Sequence, residues 1–249
     1  MKRWMRSPLM TMAVIVCVWE GIALAHLFPA TLFPGVGTVL KSLVKLSVEG
    51  ALIGRITYSI GIVLLSMAMS MFAAGILLWL STRYESMARQ IGYLEAIFNP
   101  LPGMAVLPLV ILWVGVTRRG MLLIMMHAMV WPIWAQLHVR FGALKQTYAA
   151  FMKAYAVTGL RAGYHIYFRG AVGDLLSSVK TAWSRGWRAL ISIEMVFGMV
   201  GSHTGLGWLI YERRMYMDTA GLYGVLLIIA LIGVATEQGL RAIEARVCR

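Results

Sequence analysis

Charge is scarce in this sequence of 249 residues, in which Asp, Glu, Lys and Arg together account for 13% of positions. An ordinary soluble domain carries about 25%. Apolar residues reach 60%, which is more than the polar groups of such a chain can cover in water. These proportions exclude an intrinsically disordered protein and an ordinary cytosolic enzyme. They indicate a protein that lies in a lipid bilayer.

Cysteine and the motifs of enzymes are also nearly absent. The two cysteines, Cys17 and Cys248, cannot form the framework of a disulfide-rich scaffold. Neither H-E-x-x-H nor G-x-S-x-G occurs. His127 and His138 would lie about 16 Å apart along a helix, too far to share a metal ion. We therefore predict no catalytic residue, no metal site and no cofactor bound by this chain.

A phosphate-binding loop is missing as well. The stretch Gly35–Ser42 comes close to the pattern G-x-x-x-x-G-K-[ST], but Leu40 occupies the position of the second glycine. A side chain there would obstruct the backbone cradle for the phosphates. Any ATP hydrolysis must then take place on another chain.

Six apolar runs approach the length of about 20 residues that a membrane-spanning helix needs. The third is interrupted by Asn99, Pro100 and Pro102, and the fifth begins among arginines and tryptophans. We predict an all-α membrane protein, a single domain over residues 1–249, with six transmembrane helices at about 9–28, 56–80, 94–116, 121–139, 187–200 and 222–240.

The basic residues favour one orientation of these spans. With the N-terminus in the cytoplasm, the inner side carries about twice as many Lys and Arg as the outer side, as the positive-inside rule requires. The net charge of +13 does not indicate a nucleic-acid partner, because the basic residues lie between apolar runs. Met1–Ala25 also resembles a secretory signal, but its apolar run is long and contains Glu20. We predict cytoplasmic N- and C-termini.

The longest stretch outside the predicted spans lies between the fourth and the fifth, with its centre in about residues 145–175. A short helix over 146–158, ended by Gly159, would place four residues on one face: Phe151, Ala154, Tyr155 and Thr158. Such a helix can dock in the groove of a partner protein. It can equally lie on the lipid headgroups, with Lys145 and Lys153 as anchors.

Several stretches resemble a known family when their order and spacing are taken together. The chain opens with Trp19-Glu20, Leu32-Phe33-Pro34 and a helix over Thr38–Leu46. The remaining stretches are Asn99-Pro-Leu-Pro-Gly-Met-Ala-Val-Leu-Pro108, Leu112-Trp-Val-Gly115 and Gly201-Ser-His-Thr-Gly-Leu-Gly-Trp-Leu-Ile210. Over nearly its whole length the sequence resembles the permease subunit of bacterial ABC importers, in the branch that serves nitrate, sulfonates, taurine and bicarbonate.

The resemblance implies a type I ABC importer permease (MetI-like) fold in the bacterial inner membrane. It further implies a transport subunit, not an enzyme, that moves a small oxyanion or sulfonate by ATP-driven alternating access. The implied partners are ABC ATPase subunits that hold ATP and Mg, a second permease subunit, an extracytoplasmic solute-binding protein and membrane lipid.

In this family the cytoplasmic segment carries a coupling helix with the motif Glu-Ala-Ala, three residues and Gly. Lys153-Ala154-Tyr155 followed by Gly159 holds the matching positions here, with Lys153 in place of the acid and Tyr155 in place of the second alanine. The downstream Leu-Pro pair is missing. The resemblance therefore implies ATPase coupling through Phe151, Lys153, Ala154, Tyr155, Thr158 and Gly159. A diverged ATPase or an unlike permease pair would both fit these departures.

Acids within spans are costly and indicate function or a specific partner. Glu194 lies in the middle of the fifth span and matches a glutamate of the family. We hypothesise that it faces the translocation path or braces the dimer, and a satisfied structural role is the alternative. Arg188 is the one nearby residue that could approach it. For Glu20 and Glu237 we predict pairing with an arginine or with backbone near the interface.

Trp131 and Gln136 are further candidates for the translocation path, on the fourth span. The simpler interpretation of Trp131-Pro132 is a kink with a packed aromatic ring. For the whole chain, the alternatives to an ABC permease are an ion-coupled secondary transporter and a non-transporting membrane scaffold. Copurification with an ATPase separates the first function from the other two.

Overall fold

Helices make up the regular structure of the described residues. The computed structural model describes residues 8–48, 51–157, 159, 163–198 and 203–247. A π-helical turn at Gly163–Phe168 leads directly into the seventh α-helix. The α-helices are α1 Pro8–Leu24, α2 Val36–Val48, α3 Ala51–Arg83, α4 Glu85–Phe98, α5 Gly103–Val114, α6 Arg118–Ala154, α7 Arg169–Phe197, α8 Leu206–Met215 and α9 Thr219–Val247.

The all-α membrane class is confirmed, but the count of six spans is not reproduced in the described part of the chain. Three helices are long and apolar enough to cross a bilayer: α3 from Leu52, α6 and α9. The predicted third span, 94–116, is instead the pair α4 and α5, bent by 100°. Pro100 and Pro102 lack the N–H groups that a continuous helix needs, so the chain breaks there. The first span, α1, is a shorter apolar helix.

Two predicted boundaries are wrong because a helix does not end where an apolar run ends. The fourth run, 121–139, lies inside α6, which continues to Ala154, since residues 140–154 are mostly helix formers such as Ala, Leu, Lys and Gln. The separate short helix over 146–158 is therefore the last part of α6. The fifth run, 187–200, lies in α7, which begins at Arg169, and residues 199 and 200 are outside the described part.

The core lies where α6 packs between α3 and α7. Met121, Met125 and Met129 recur every four residues along α6 and are at most 1% exposed. They belong to one buried cluster with Leu190 and Ile193 of α7, which are fully buried. Flexible thioether side chains of this kind fill irregular gaps between helices.

Several serines recur on the buried side of α3, which we call the serine face. Ser59, Ser66 and Ser70 are fully buried, and small residues of this kind let membrane helices approach closely. Near the end of α3, Ser81 accepts a hydrogen bond of 3.1 Å from Nε1 of Trp134 on α6. The hydroxyls of Ser66 and Ser70 have no hydrogen-bond partner among the described residues.

Three carboxylates, those of Glu20, Glu212 and Glu237, form contacts between or within helices. Glu20 of α1 accepts a hydrogen bond of 2.7 Å from the backbone N–H of Val36, at the start of α2. Glu237 pairs with Arg241 one turn along α9, at 2.5 Å. The predicted pairings of both acids with backbone or arginine are thereby confirmed. An ion pair of 2.5 Å between Arg55 and Glu212 joins α3 to α8.

Candidate functional site

A polar cavity of about 510 Å³ opens where α4 and α5 meet. One wall is the break itself, from Asn99 to Met104. His127 of α6 forms part of a second wall, and α7 supplies the third through Arg185, Arg188 and Ser192. Three elements that are far apart in the sequence therefore bring their polar side chains to one place.

The cavity carries positive charge. Arg185 donates a hydrogen bond of 2.5 Å to the side-chain oxygen of Asn99. The amide nitrogen of Asn99 in turn donates to Glu95 at 2.7 Å, so Arg185 is held in place through Asn99. Arg188 is exposed and its guanidinium forms no ion pair with any described residue. No Asp or Glu is among the described residues that line the cavity.

His127 adds two further polar atoms to this region. Within the described chain, neither of its ring nitrogens has a hydrogen-bond partner. Its ring packs edge-on against Phe98, with centroids 6.1 Å apart. Both nitrogens are buried, so the imidazole forms part of the cavity wall and offers no accessible donor or acceptor there.

Of the predicted path residues, the structure brings neither Trp131 nor Gln136 into the lining of this cavity. Trp131 stacks on Phe98 at 5.7 Å, and Gln136 donates to Thr181 of α7 at 3.3 Å. Sequence reasoning missed Arg185 and Arg188 as site residues. The available signal was the pair of arginines at the start of the predicted fifth span, next to an apolar run where charge is costly.

Glu194 lies away from the cavity, in a closed contact between α3, α7 and α8. Its side chain is 1% exposed. The hydroxyl of Ser59 donates to both carboxylate oxygens, at 2.8 and 2.9 Å. The backbone N–H of Gly207 donates to Oε2 at 2.8 Å. Glu194 thus caps the N-terminus of α8, whose own N-cap residue, Gly205, has no side chain to do so.

This geometry corresponds to the structural alternative for Glu194, with Ser59 and Gly207 as partners and not Arg188. Ser59 also accepts a hydrogen bond of 2.9 Å from the N–H of Leu206, so two of the free N–H groups of α8 are satisfied by α3 and α7. The glycines of Gly205-Leu206-Gly207 make the approach possible. A Cβ on Gly205 would overlap the carboxylate, and one on Gly207 would overlap the carbonyl oxygen of Ile191.

The predicted coupling residues lie at the exposed end of α6, which we call the elbow and define as residues 151–157 and 159. The rings of Phe151 and Tyr155 pack against each other, with their centroids 4.7 Å apart. They are 48% and 71% exposed. Lys153 and Ala154 are also exposed.

The helix of the elbow ends earlier than predicted. α6 ends at Ala154, capped by Tyr155, because Ala156 turns the chain with a φ of 47°. Gly159, predicted as the stop, has a φ of 60° and is exposed. Thr158 lies outside the described residues.

A groove of about 870 Å³ borders the elbow. It lies between α3, α6 and the π-helical turn, and Trp79, His138, Met152 and Tyr167 are among its walls. The exposed aromatic pair and this groove share one end of the helix bundle. That end therefore offers both a protruding and a concave apolar surface.

Helix α6 contributes residues to both the elbow and the wall of the polar cavity. His127 at the cavity and Phe151 at the elbow are both residues of α6. They are separated by about 36 Å at 1.5 Å per residue. A force on the elbow therefore reaches a wall of the cavity through one continuous element.

The part of the chain that carries these features matches a known protein family. The model of the family described as "Binding-protein-dependent transport system inner membrane component" matches residues 93–249. This range includes the cavity, Glu194 and the elbow.

Three relatives match most of the chain. The taurine transport system permease protein of Escherichia coli (strain K12) is 22% identical, over 95% of this chain and 86% of that protein. A putative aliphatic sulfonates transport permease protein of Bacillus subtilis (strain 168) is 24% identical, over 99% and 87%. A probable ABC transporter permease protein of Haemophilus influenzae is 23% identical, over 93% and 92%.

Proposed function

Because the chain belongs to the family of binding-protein-dependent transport system inner membrane components, as an ABC importer permease of the sulfonate and taurine branch, we propose that it moves a small anion by ATP-driven alternating access. Its relatives are named for taurine and for aliphatic sulfonates, and a small sulfonate or oxyanion is the solute that we propose here. The chain is a multi-pass inner-membrane protein.

The proposal depends most on the continuity of α6 between the elbow and the cavity. ATPase subunits that hold ATP and Mg dock at the elbow and, as they close, displace the end of α6. A second permease subunit completes the pathway, and a solute-binding protein delivers the solute from outside. The displacement moves one wall of the cavity and reverses the side to which it opens.

The proposed orientation puts the elbow in the cytoplasm. Basic residues gather at the elbow end of the bundle, as the positive-inside rule requires for a cytoplasmic face. They are Arg83, Arg140, Lys145, Lys153, Arg169, Lys180, Arg241 and Arg246.

Truncating the aromatic pair tests the docking of the ATPase. The double variant Phe151→Ala, Tyr155→Ala should weaken ATPase binding about thirtyfold, since removing aromatic residues at the centre of an interface costs about 2 kcal/mol or more. The amount of ATPase that copurifies with the tagged permease measures this effect. Tyr93→Ala is the matched control, because Tyr93 on α4 is also 71% exposed.

Two outcomes would contradict this docking mode. In one, the double variant retains the ATPase as tightly as the control does. In the other, a membrane-impermeant reagent labels the elbow from outside the cell. If the variant keeps the ATPase but loses binding to anionic liposomes, the elbow is a lipid anchor instead.

A further inference from the structure

We infer that the cavity at the α4–α5 break is an anion site on the translocation path, in which Arg188 supplies a free positive charge and Arg185 a fixed one. The inference rests on the proposed function and assigns the binding of the solute to this cavity. The ligand class is a small solute with one anionic oxygen group, such as a sulfonate.

The first argument is that the charge of Arg188 has no partner in the described chain. Arg188 has no ion-pair partner in the described chain and lines the cavity. A guanidinium among apolar helices is found facing water, a partner or a pathway. Arg188 also borders a second cavity that includes Glu237, but Glu237 is paired with Arg241. The charge of Arg188 is therefore available to an anion in the cavity at the α4–α5 break.

The second argument is the kind of polar group that faces the cavity. Guanidinium groups donate hydrogen bonds and accept none. The first turn of α5, at Gly103 and Met104, also lines the cavity, and its N-terminal dipole adds positive potential. The nearest carboxylate in this hydrogen-bonded chain is that of Glu95, which is engaged by Asn99 and does not line the cavity. The surroundings favour an anion over a cation.

The third argument is size and access. A volume of about 510 Å³ lies within the range of about 300–1,000 Å³ that is usual for small-molecule sites. Ser192, one turn beyond Arg188, lines the same cavity. Its hydroxyl donates to the backbone oxygen of Arg188, so replacing it by cysteine removes no contact with another helix.

A thiol at this position can report the charge of the cavity. In the assembled importer in membrane vesicles, Ser192→Cys is introduced with Cys17→Ser and Cys248→Ser. Its rate of modification is measured with two methanethiosulfonate reagents, one bearing a sulfonate and one a trimethylammonium group. We expect the anionic reagent to react faster. Arg188→Gln should lower the ratio of anionic to cationic rates about tenfold, as expected for one charge at this range in a partly aqueous site.

Two charge variants serve as controls. Arg188→Lys keeps the charge and should keep the ratio. Arg246→Gln removes one positive charge from an exposed position on α9 and should leave the ratio unchanged. If neither reagent modifies Cys at position 192, or if Arg188→Gln leaves the ratio as it was, the inference is overturned.

Uptake of taurine by the same vesicles separates this inference from the proposed function. If Arg188→Gln lowers uptake about tenfold while Arg246→Gln retains it, both stand. Normal ATP-driven uptake with a charge-independent labelling ratio refutes the anion site and leaves the function intact. A charge-dependent ratio in vesicles that take up neither taurine nor ethanesulfonate with ATP refutes the function and leaves the site intact.

Discussion

Replacing Gly207 by alanine should prevent the folded permease from accumulating in the membrane. The added Cβ would overlap the carbonyl oxygen of Ile191 and the Cβ of Glu194. The first of these atoms belongs to the backbone of α7 and cannot move unless α7 and α8 separate. Overpacking of this kind costs about 3 kcal/mol or more when no side chain can yield, which is a large part of the stability of a folded chain.

The yield of monodisperse protein after size-exclusion chromatography in detergent measures this effect. Gly239→Ala is the matched control, because a Cβ at Gly239 on α9 meets no atom within 4 Å. The control should give the yield of the unmodified chain. A normal yield of Gly207→Ala would show that α7 and α8 do not approach as closely as described.

Replacing Glu194 by alanine should lower the free energy of unfolding by about 3 kcal/mol, through unsatisfied buried donors and a new cavity. The hydroxyl of Ser59 and the N–H of Gly207 would both lose their acceptor. Glu194→Gln has nearly the same shape, and its amide oxygen can still accept from Gly207. It should therefore cost about 1 kcal/mol.

Thermal denaturation of the detergent-purified variants checks this order. Ser59→Ala and the double variant Ser59→Ala, Glu194→Ala complete a double-mutant cycle, in which the two single effects should not add. If Glu194→Gln were as damaging as Glu194→Ala, the negative charge itself would be required for capping the N-terminus of α8. Equal stability of Glu194→Ala and the unmodified chain would contradict the capping role.

The class of the fold was predictable because it depends on composition and run length alone. The predicted spans at 56–80 and 222–240 lie inside α3 and α9. The ends of α6 and α7 were not predictable from the same runs, since both helices continue through charged residues. Asn99, Pro100 and Pro102 did indicate an interruption, and the structure turns it into a bend of 100°.

The candidate site was predictable only where it is local in sequence. The exposed aromatic face of the elbow follows from helical spacing, and its coupling role stays a prediction. Ser59 could not be found in this way as a partner of Glu194, because it is 135 residues away. The same holds for the cavity, where Asn99 and Arg185 meet across 86 residues of chain.

The hydrogen bonds that the serine face of α3 makes to neighbouring helices are unevenly distributed along it. Near one end Ser59 bonds to Glu194, and near the other Ser81 bonds to Trp134. Between these ties, Ser66 and Ser70 make no hydrogen bond within the described chain. The middle of α3 is thus held by apolar packing, with Val63 and Met67 in the core, and moving this segment against the bundle would break no hydrogen bond of Ser66 or Ser70.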